Sequence, residues 1–263
     1  MTMNHMKHPD MHGNCAVLIV SCDKYKDLWG PCITLFRRFW NDCPYPVYLL
    51  SNTVKADFPN VTSIATGSDI SWSDNLLIAL NSLECSHVLL YIEDLFLIDT
   101  VDSKTIQSLI QRCIDEDWNY LRLNPTPKGD ALIDDSISEI SPGTVYRSSV
   151  VFSVWKIDIL KQMLKKGESA WDFEEIGTAR TDAFPKFYAS NHALIPNCNT
   201  VIKGVWETEA LKSIRALGIN PDLSHRRAMN STEYLKWKFK QFRSMIFHMM
   251  PHGSKRAIRS LFR

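Results

Sequence analysis

LLYIEDLFLID, residues 89–99, is the stretch on which the reading turns. Its apolar run stops at two adjacent carboxylates, Glu93 and Asp94, and resumes with Leu95, Phe96, Leu97 and Ile98. Acids set in apolar sequence are costly to bury without a partner. The partner could be a metal, a substrate or a neighbouring Lys or Arg. The preceding HVLLYI, residues 87–92, has the length and composition of a buried strand. The acid pair therefore falls at a strand's carboxyl end.

Two further runs end in the same way. CAVLIVSC, residues 15–22, passes into the polar loop 23–27, and VYLLSN, residues 47–52, ends on Asn52. LWGPCITLFRRFW, residues 28–40, reads as a helix with Pro31 near its start, where proline is tolerated. VTSIAT, residues 61–66, is a third short strand. Ser71 or Ser73 then caps a helix over 74–84, and residues 102–117 form the next helix. The order is strand–helix–strand–strand–helix–strand–helix. It predicts an α/β fold with a mainly parallel sheet flanked by helices. Ligands of such sheets bind outside the strands' carboxyl ends, where Cys22, Asp23, Asn52, Glu93 and Asp94 all fall.

The second half is less regular. Residues 118–123 read as a strand, 124–144 as a polar loop, and 148–155 as a strand running into a helix that ends near Lys166 and Gly167. ESAWDFEEIGTAR, residues 168–180, is dense in acids and aromatics, and residues 193–206 suggest two short strands joined by a turn.

Composition bounds the function. The chain has 263 residues, 45% hydrophobic and 22% charged, enough for a substantial core. A net charge of +1 gives no general affinity for nucleic acid, and none is expected as a partner. The seven cysteines are odd in number and none are spaced C-x-x-C, which argues against a disulfide framework or a structural zinc and for a reducing compartment. No apolar run reaches the ~18 residues of a spanning helix. Residues 1–14 lack the apolar centre of a secretory signal and read as a tail. Walker A, G-x-S-x-G, H-E-x-x-H and G-x-G-x-x-G motifs are missing.

Several residues could carry chemistry. Glu93 and Asp94 suit a divalent cation, which takes one or two carboxylates together with ligand phosphates, or a strand-end hydrogen-bond network. Asp172, Glu174 and Glu175 lie among Trp171 and Phe173. Desolvation there would raise a carboxyl pKa and make a base; equally, acids favour a helix start, with Ser169 as its cap. Arg122, Arg147, Arg180 and Lys203 are cations near loops, each a counter-charge for a leaving group or an ordinary ion pair. In residues 233–250, Leu235, Phe239, Phe242, Ile246 and Met249 recur at helical spacing beside Lys236, Lys240 and Arg243. Residues 236–263 hold eight Lys or Arg and no acid. This is the pattern of a basic interfacial helix or of an amphipathic helix docked on its own domain.

VLIVSCDKYKDLWGPCITLFRRFW (17–40), SWSDNLLIAL (71–80), LLYIEDLFLID (89–99), GESAWDFEEIGTAR (167–180) and IKGVW (202–206) occur in that order. Together they resemble bacterial GT-A-type glycosyltransferases of capsule, O-antigen and lipopolysaccharide gene clusters. The resemblance implies a single GT-A-like, Rossmann-like domain over 15–230. Its nucleotide-sugar half would be 15–123 and its acceptor half 124–230, between the tail 1–14 and basic amphipathic helices over 231–263. It implies a nucleotide-sugar donor held by Ser21, Asp23, Tyr25 and Asn52, flanked by Asp69, Trp72 and Asn75. Glu93 and Asp94 stand where a D-x-D motif is expected, so Mg²⁺ or Mn²⁺ would bind there, Asp94 being the first ligand. Glu174 would be the base of an inverting transfer, with Glu175 and then Asp172 behind it. Arg180 or Lys203, with Arg147 and Trp206, would serve the diphosphate or the acceptor, a glycan or lipid-linked glycan. The implied location is cytoplasmic, on the inner face of the membrane, with residues 233–263 on its anionic surface. The alternatives are a non-catalytic module on this fold within a synthase complex and a sugar nucleotidyltransferase.

Overall fold

The computed structural model describes residues 13–249, with side chains to residue 243. The chain runs β1 (Cys15–Val20), α1 (Lys26–Phe39), β2 (Val47–Ser51), β3 (Val61–Ala65), α2 (Trp72–Asn81), β4 (His87–Ile92), β5 (Leu95–Leu97) and α3 (Ser103–Asp115). There follow β6 (Tyr120–Arg122), β7 (Ala131–Leu132), β8 (Ile137–Glu139), β9 (Ser153–Lys156), α4 (Ile157–Met163) and α5 (Ala170–Glu175). Last come β10 (Phe187–Ser190), β11 (Asn197–Asn199), β12 (Val201–Ile202), β13 (Val205–Trp206), α6 (Thr208–Ala216) and α7 (Ser231–Met249).

Nine strands form one sheet in the order β3-β2-β1-β4-β9-β6-β10-β8-β7. β1 to β4 are mutually parallel, and β6, β10 and β7 share their direction; β9 and β8 run against them. The fold is α/β, with a large, mostly parallel sheet flanked by helices, as the alternation of elements predicts.

Alternate residues of each strand feed two cores, because successive side chains point to opposite faces. Val17 and Ile19 of β1 pack with Leu28, Cys32 and Phe36 of α1 and Ile106 and Ile110 of α3. Leu18 and Val20 pack with Leu76 and Leu80 of α2 and Leu160 of α4. Both faces being covered, the central strands read as unbroken apolar runs.

The structure departs from expectation in five places. α1 begins at Lys26, so Pro31 lies inside it, and the carbonyl of Asp27 loses the amide partner that a residue other than proline would supply. The expected loop 124–144 contains the β7–β8 hairpin. Strand β10 and helix α6 went unforeseen. So did β5, which pairs antiparallel with β11 through Phe96 and Cys198 and stitches the chain after the acid pair to the second half. The seven cysteines are free. Among the described residues no helix is long and apolar enough to cross a membrane.

Candidate functional site

The site is built at the carboxyl edge of the sheet. After β1 the chain turns at Ser21, Cys22 and Asp23. The Asp23 carboxylate accepts from the amides of Asn52 (3.0 Å) and Thr53 (3.0 Å) and from the Thr53 hydroxyl (2.6 Å). In return the Asp23 amide donates to the Asn52 side-chain oxygen at 3.0 Å. Burial pushes the Asp23 pKa up, but these donors outweigh it and leave it lowered. Asp23 thus joins the ends of β1 and β2.

The Asn52 side-chain amide points at Asp69 (3.4 Å), which also accepts from Asn75 (2.9 Å) and faces Lys24 at 3.7 Å. Asn75 is buried, and its side-chain oxygen has no hydrogen-bond partner. A buried amide oxygen in this position can accept from a ligand N–H. Asn75 is held there by α2, whose start is capped by Ser71 (3.1 Å to the Asp74 amide).

Beyond β4, Glu93 is 6% exposed. Burial first, then the neighbouring Asp94 charge, raise its pKa well above the usual carboxylate range, against the pull of Ser21 and Arg226. Burial likewise pushes Asp94 to about 6, again opposed by Arg226. The Asp94 carbonyl accepts from the Thr200 amide (2.8 Å) and hydroxyl (2.7 Å), which brings the β12–β13 hairpin to the pair. Ser21 in turn accepts from the Trp29 indole at 2.7 Å. Tyr25 is half-buried; burial and then the Glu93 charge raise its phenol, and Arg226 opposes them.

The acidic-aromatic segment reaches the same edge by way of β9. Ser153 at the start of β9 is opposite Leu90 of β4 and Arg122 of β6. Because β9 is antiparallel, the residues before it, 149–152, run toward the carboxyl ends of both neighbours. Glu174 of α5 accepts from the Ser149 hydroxyl and the Val150 amide, both at 2.8 Å. Burial is the first cause of its raised pKa; the two donors and the Arg122 charge oppose it. The segments 71–80 and 167–175 also meet. Ser73 donates to the Lys165 carbonyl (2.6 Å) and accepts from the Glu168 amide (3.1 Å), and the rings of Trp72 and Phe173 are 5.4 Å apart.

Other predicted residues stand elsewhere. Asp172 forms a capping box with Ser169, so its carboxylate serves the helix start. Glu175 is exposed and accepts from the Tyr146 hydroxyl at 3.4 Å. Arg147 does not face a ligand. It is fully buried, donating to the carbonyls of Ile140 (2.7 Å), Phe184 (3.1 Å) and Thr181, with its guanidinium 4.2 Å from the Phe187 ring centre. Arg122 is spent in the same way, on the carbonyls of Pro127, Tyr146 and Arg147. Arg180 is engaged by Glu168 through two bonds of 2.8 and 2.6 Å. Lys203 is exposed at the tip of the β12–β13 hairpin with φ of 50°. Trp206 is no acceptor platform: it is buried against Phe96 in the core.

Sequence reading missed Arg226, Asp27, Thr200 and Ser149. Arg226, 9% exposed, is paired with Asp27 through both carboxylate oxygens (3.1 and 3.2 Å). No local pattern marks it, because its partner is 199 positions away.

Glu93 and Asp94 are two carboxylates of the kind that can ligate a hard cation. No group of three or more His, Cys, Asp or Glu side chains able to hold a metal is found among the described residues. A cation here would therefore need phosphate oxygens to complete its coordination. The raised proton affinities of both acids mark a place where a positive charge would offset their desolvation.

No protein-family model matches the chain, and no curated protein matches it. Solved structures do. The UTP-bound UGPase from Acinetobacter baumannii has a TM-score of 0.49 at 13% identity, over 87% of this chain and 98% of its own. A cytidylyltransferase from Leptospira borgpetersenii scores 0.49 at 12% identity, over 88% and 96%. Staphylococcus aureus TarS 1–349 in complex with UDP-GlcNAc scores 0.48 at 12%, over 81% and 68%. Scores below 0.5 at such identities assign no activity.

Proposed function

We propose that the chain is a glycosyltransferase of bacterial surface-polysaccharide synthesis, moving a sugar from a nucleotide-sugar donor to a glycan or lipid-linked glycan with inversion. One observation carries this reading. A polar donor-side cluster (Asp23, Asn52, Asp69, Asn75), the Glu93–Asp94 pair and the half-buried base candidate Glu174 lie toward one sheet edge and come from five separate segments.

In the proposed reaction the nucleoside lies along the clasp formed by Asp23, Asn52 and Asp69, with the Asn75 oxygen as acceptor. The diphosphate lies toward Glu93 and Asp94, which would hold Mg²⁺ or Mn²⁺. Such a cation supplies charge to the departing diphosphate. Glu174 takes the proton of the acceptor hydroxyl as its oxygen bonds to the anomeric carbon. The carbon–oxygen bond to the diphosphate breaks with its electron pair, releasing nucleoside diphosphate. The exposed apolar residues of α7, Leu235 (67%), Phe239 (65%) and Phe242 (55%), with Lys236, Lys240 and Arg243 alongside, fit an anionic bilayer holding a lipid-linked acceptor. The corresponding expectations for residues 1–12 and 250–263 lie outside the described residues.

The test is a panel of nucleotide sugars with Mg²⁺ or Mn²⁺, read as release of nucleoside diphosphate and transfer to polyprenyl-phosphate-linked sugar. Donor binding with turnover is expected. Formation of nucleotide sugar from nucleoside triphosphate and sugar phosphate would replace the reading with nucleotidyl transfer. Binding with no turnover of either kind would leave the non-catalytic module.

A further inference from the structure

Of the four cations that the sequence offered as counter-charges, Arg122, Arg147 and Arg180 are occupied and Lys203 is exposed at the hairpin tip; the buried cation whose charge reaches the acid pair is Arg226. It arrives from the C-terminal segment on a short, stiff support. The Trp206 amide donates to the Arg227 carbonyl and the Met229 amide to the Trp206 carbonyl, both at 2.9 Å, so residues 227–229 are strapped along β13. From there the guanidinium reaches four places. It pairs with Asp27 in the first turn of α1. It donates to the carbonyls of Gly204 (3.0 Å) and Lys24 (3.4 Å). Its carbon stands 4.5 Å from the Tyr25 ring centre. Most of its N–H groups are thereby used, so it is poorly placed to grip a ligand itself. Every contact falls on a wall of the mouth: either the stretch from the loop after β1 into the first turn of α1, or the hairpin that Thr200 anchors to Asp94.

We propose that Arg226 is a positioning residue that completes the nucleotide site from the C-terminal segment, fixing Tyr25 and the loop 23–27 beside Glu93 and Asp94. The inference rests on the nucleotide-sugar reading above. A buried, bidentate Arg–Asp pair sets a fixed geometry, and a cation on one face of Tyr25 restrains the ring whose phenol neighbours the acids. Without Arg226 the loop after β1 would keep its hold on β2 through Asp23 and lose its hold on the hairpin. The donor side of the mouth would then be formed only part of the time, and affinity would fall by that fraction.

The experiment measures binding of UDP, GDP, CDP and TDP with Mg²⁺ to the full chain by titration calorimetry, using the tightest as probe. The variants are Tyr25→Ala, Arg226→Ala, Arg226→Lys, Asp27→Asn and the double variant Tyr25→Ala/Arg226→Ala, each with its melting temperature. Tyr25→Ala and Arg226→Ala are each expected to weaken binding about tenfold. The double variant should be no weaker than Arg226→Ala, since the arginine acts through the tyrosine. Arg226→Lys, which keeps a cation near the ring but cannot bond Asp27 bidentately, should recover only part of the loss. Multiplying losses in the double variant, or an Arg226→Ala protein that binds as wild type does, would overturn the inference while leaving the nucleotide reading intact. A wild-type protein that binds none of the four would overturn both. Should Arg226→Ala fail to fold, Asp27→Asn decides: it should lower the melting temperature, because Arg226 stays buried without its counter-charge, yet remain folded at about 25 °C and weaken binding; wild-type affinity there is the negative result.

Discussion

Glu174 shows how one carboxyl group is prepared by its surroundings. Two donors hold it in place while burial raises its affinity for a proton. Glu174→Gln should keep nucleotide binding within about twofold and cut transfer by ~10²–10⁴, the usual contribution of a general base; calorimetry and product release measure the two separately. The sign of the pH dependence follows. In the proposed transfer Glu174 would work ionised, so transfer should fall as pH drops through the folded pKa, and that acid limb should lie above the ~4.3 of an ordinary glutamate. Stability moves the other way. The folded state binds this proton more tightly than the unfolded state does, so ionisation destabilises the fold as pH rises through that window. Glu174→Gln should therefore gain melting temperature over wild type on the alkaline side, and the gap should close in acid. At this scale the sequence was partly legible. Acids next to Trp171 and Phe173 marked the place, but they could not tell Asp172, spent on a helix cap, from Glu174, aimed at Ser149. Helix phase and a partner 25 positions away made that choice.

At the scale of elements, the meeting of α2 with the segment 165–169 is the joint that brings the two halves of the site together. Its centre is the Ser73 hydroxyl, 2% exposed, which gives one hydrogen bond and takes another. Ser73→Ala should cost about 1–2 kcal/mol of unfolding free energy, because the Glu168 amide and Lys165 carbonyl lose their partner. Urea denaturation with an unchanged m-value would verify it. The first half of the fold was legible because strands buried on both faces leave long apolar runs separated by amphipathic helices. The second half was not. Strands of two to four residues such as β7, β8 and β10 carry too few positions to show a period. They exist because neighbouring strands present edges to them, which is a tertiary cause.

For the whole molecule, the expectation to test is the bilayer role of α7. Phe239 is 65% exposed, so Phe239→Glu removes no core contact and should leave the melting temperature unchanged. It should weaken binding to vesicles rich in anionic lipid by at least about tenfold, since an apolar anchor is replaced by a like charge. Sedimentation with anionic and zwitterionic vesicles reads this, and equal binding of variant and wild type would remove the membrane assignment. Sheet order has a further consequence, in time rather than in space. β3, β2, β1 and β4 are contiguous in the sheet and encoded first, whereas β6 and β10 reach them only through β9. A ribosome that has released residue 100 has already delivered four mutually supporting strands. Residues 120–122 must then wait, unpaired on both edges, until β9 emerges to join them to β4 and β10 covers the other side. During synthesis the chain therefore passes through a stage with four strands delivered and an open β4 edge, the stage at which a holding chaperone would have most to protect.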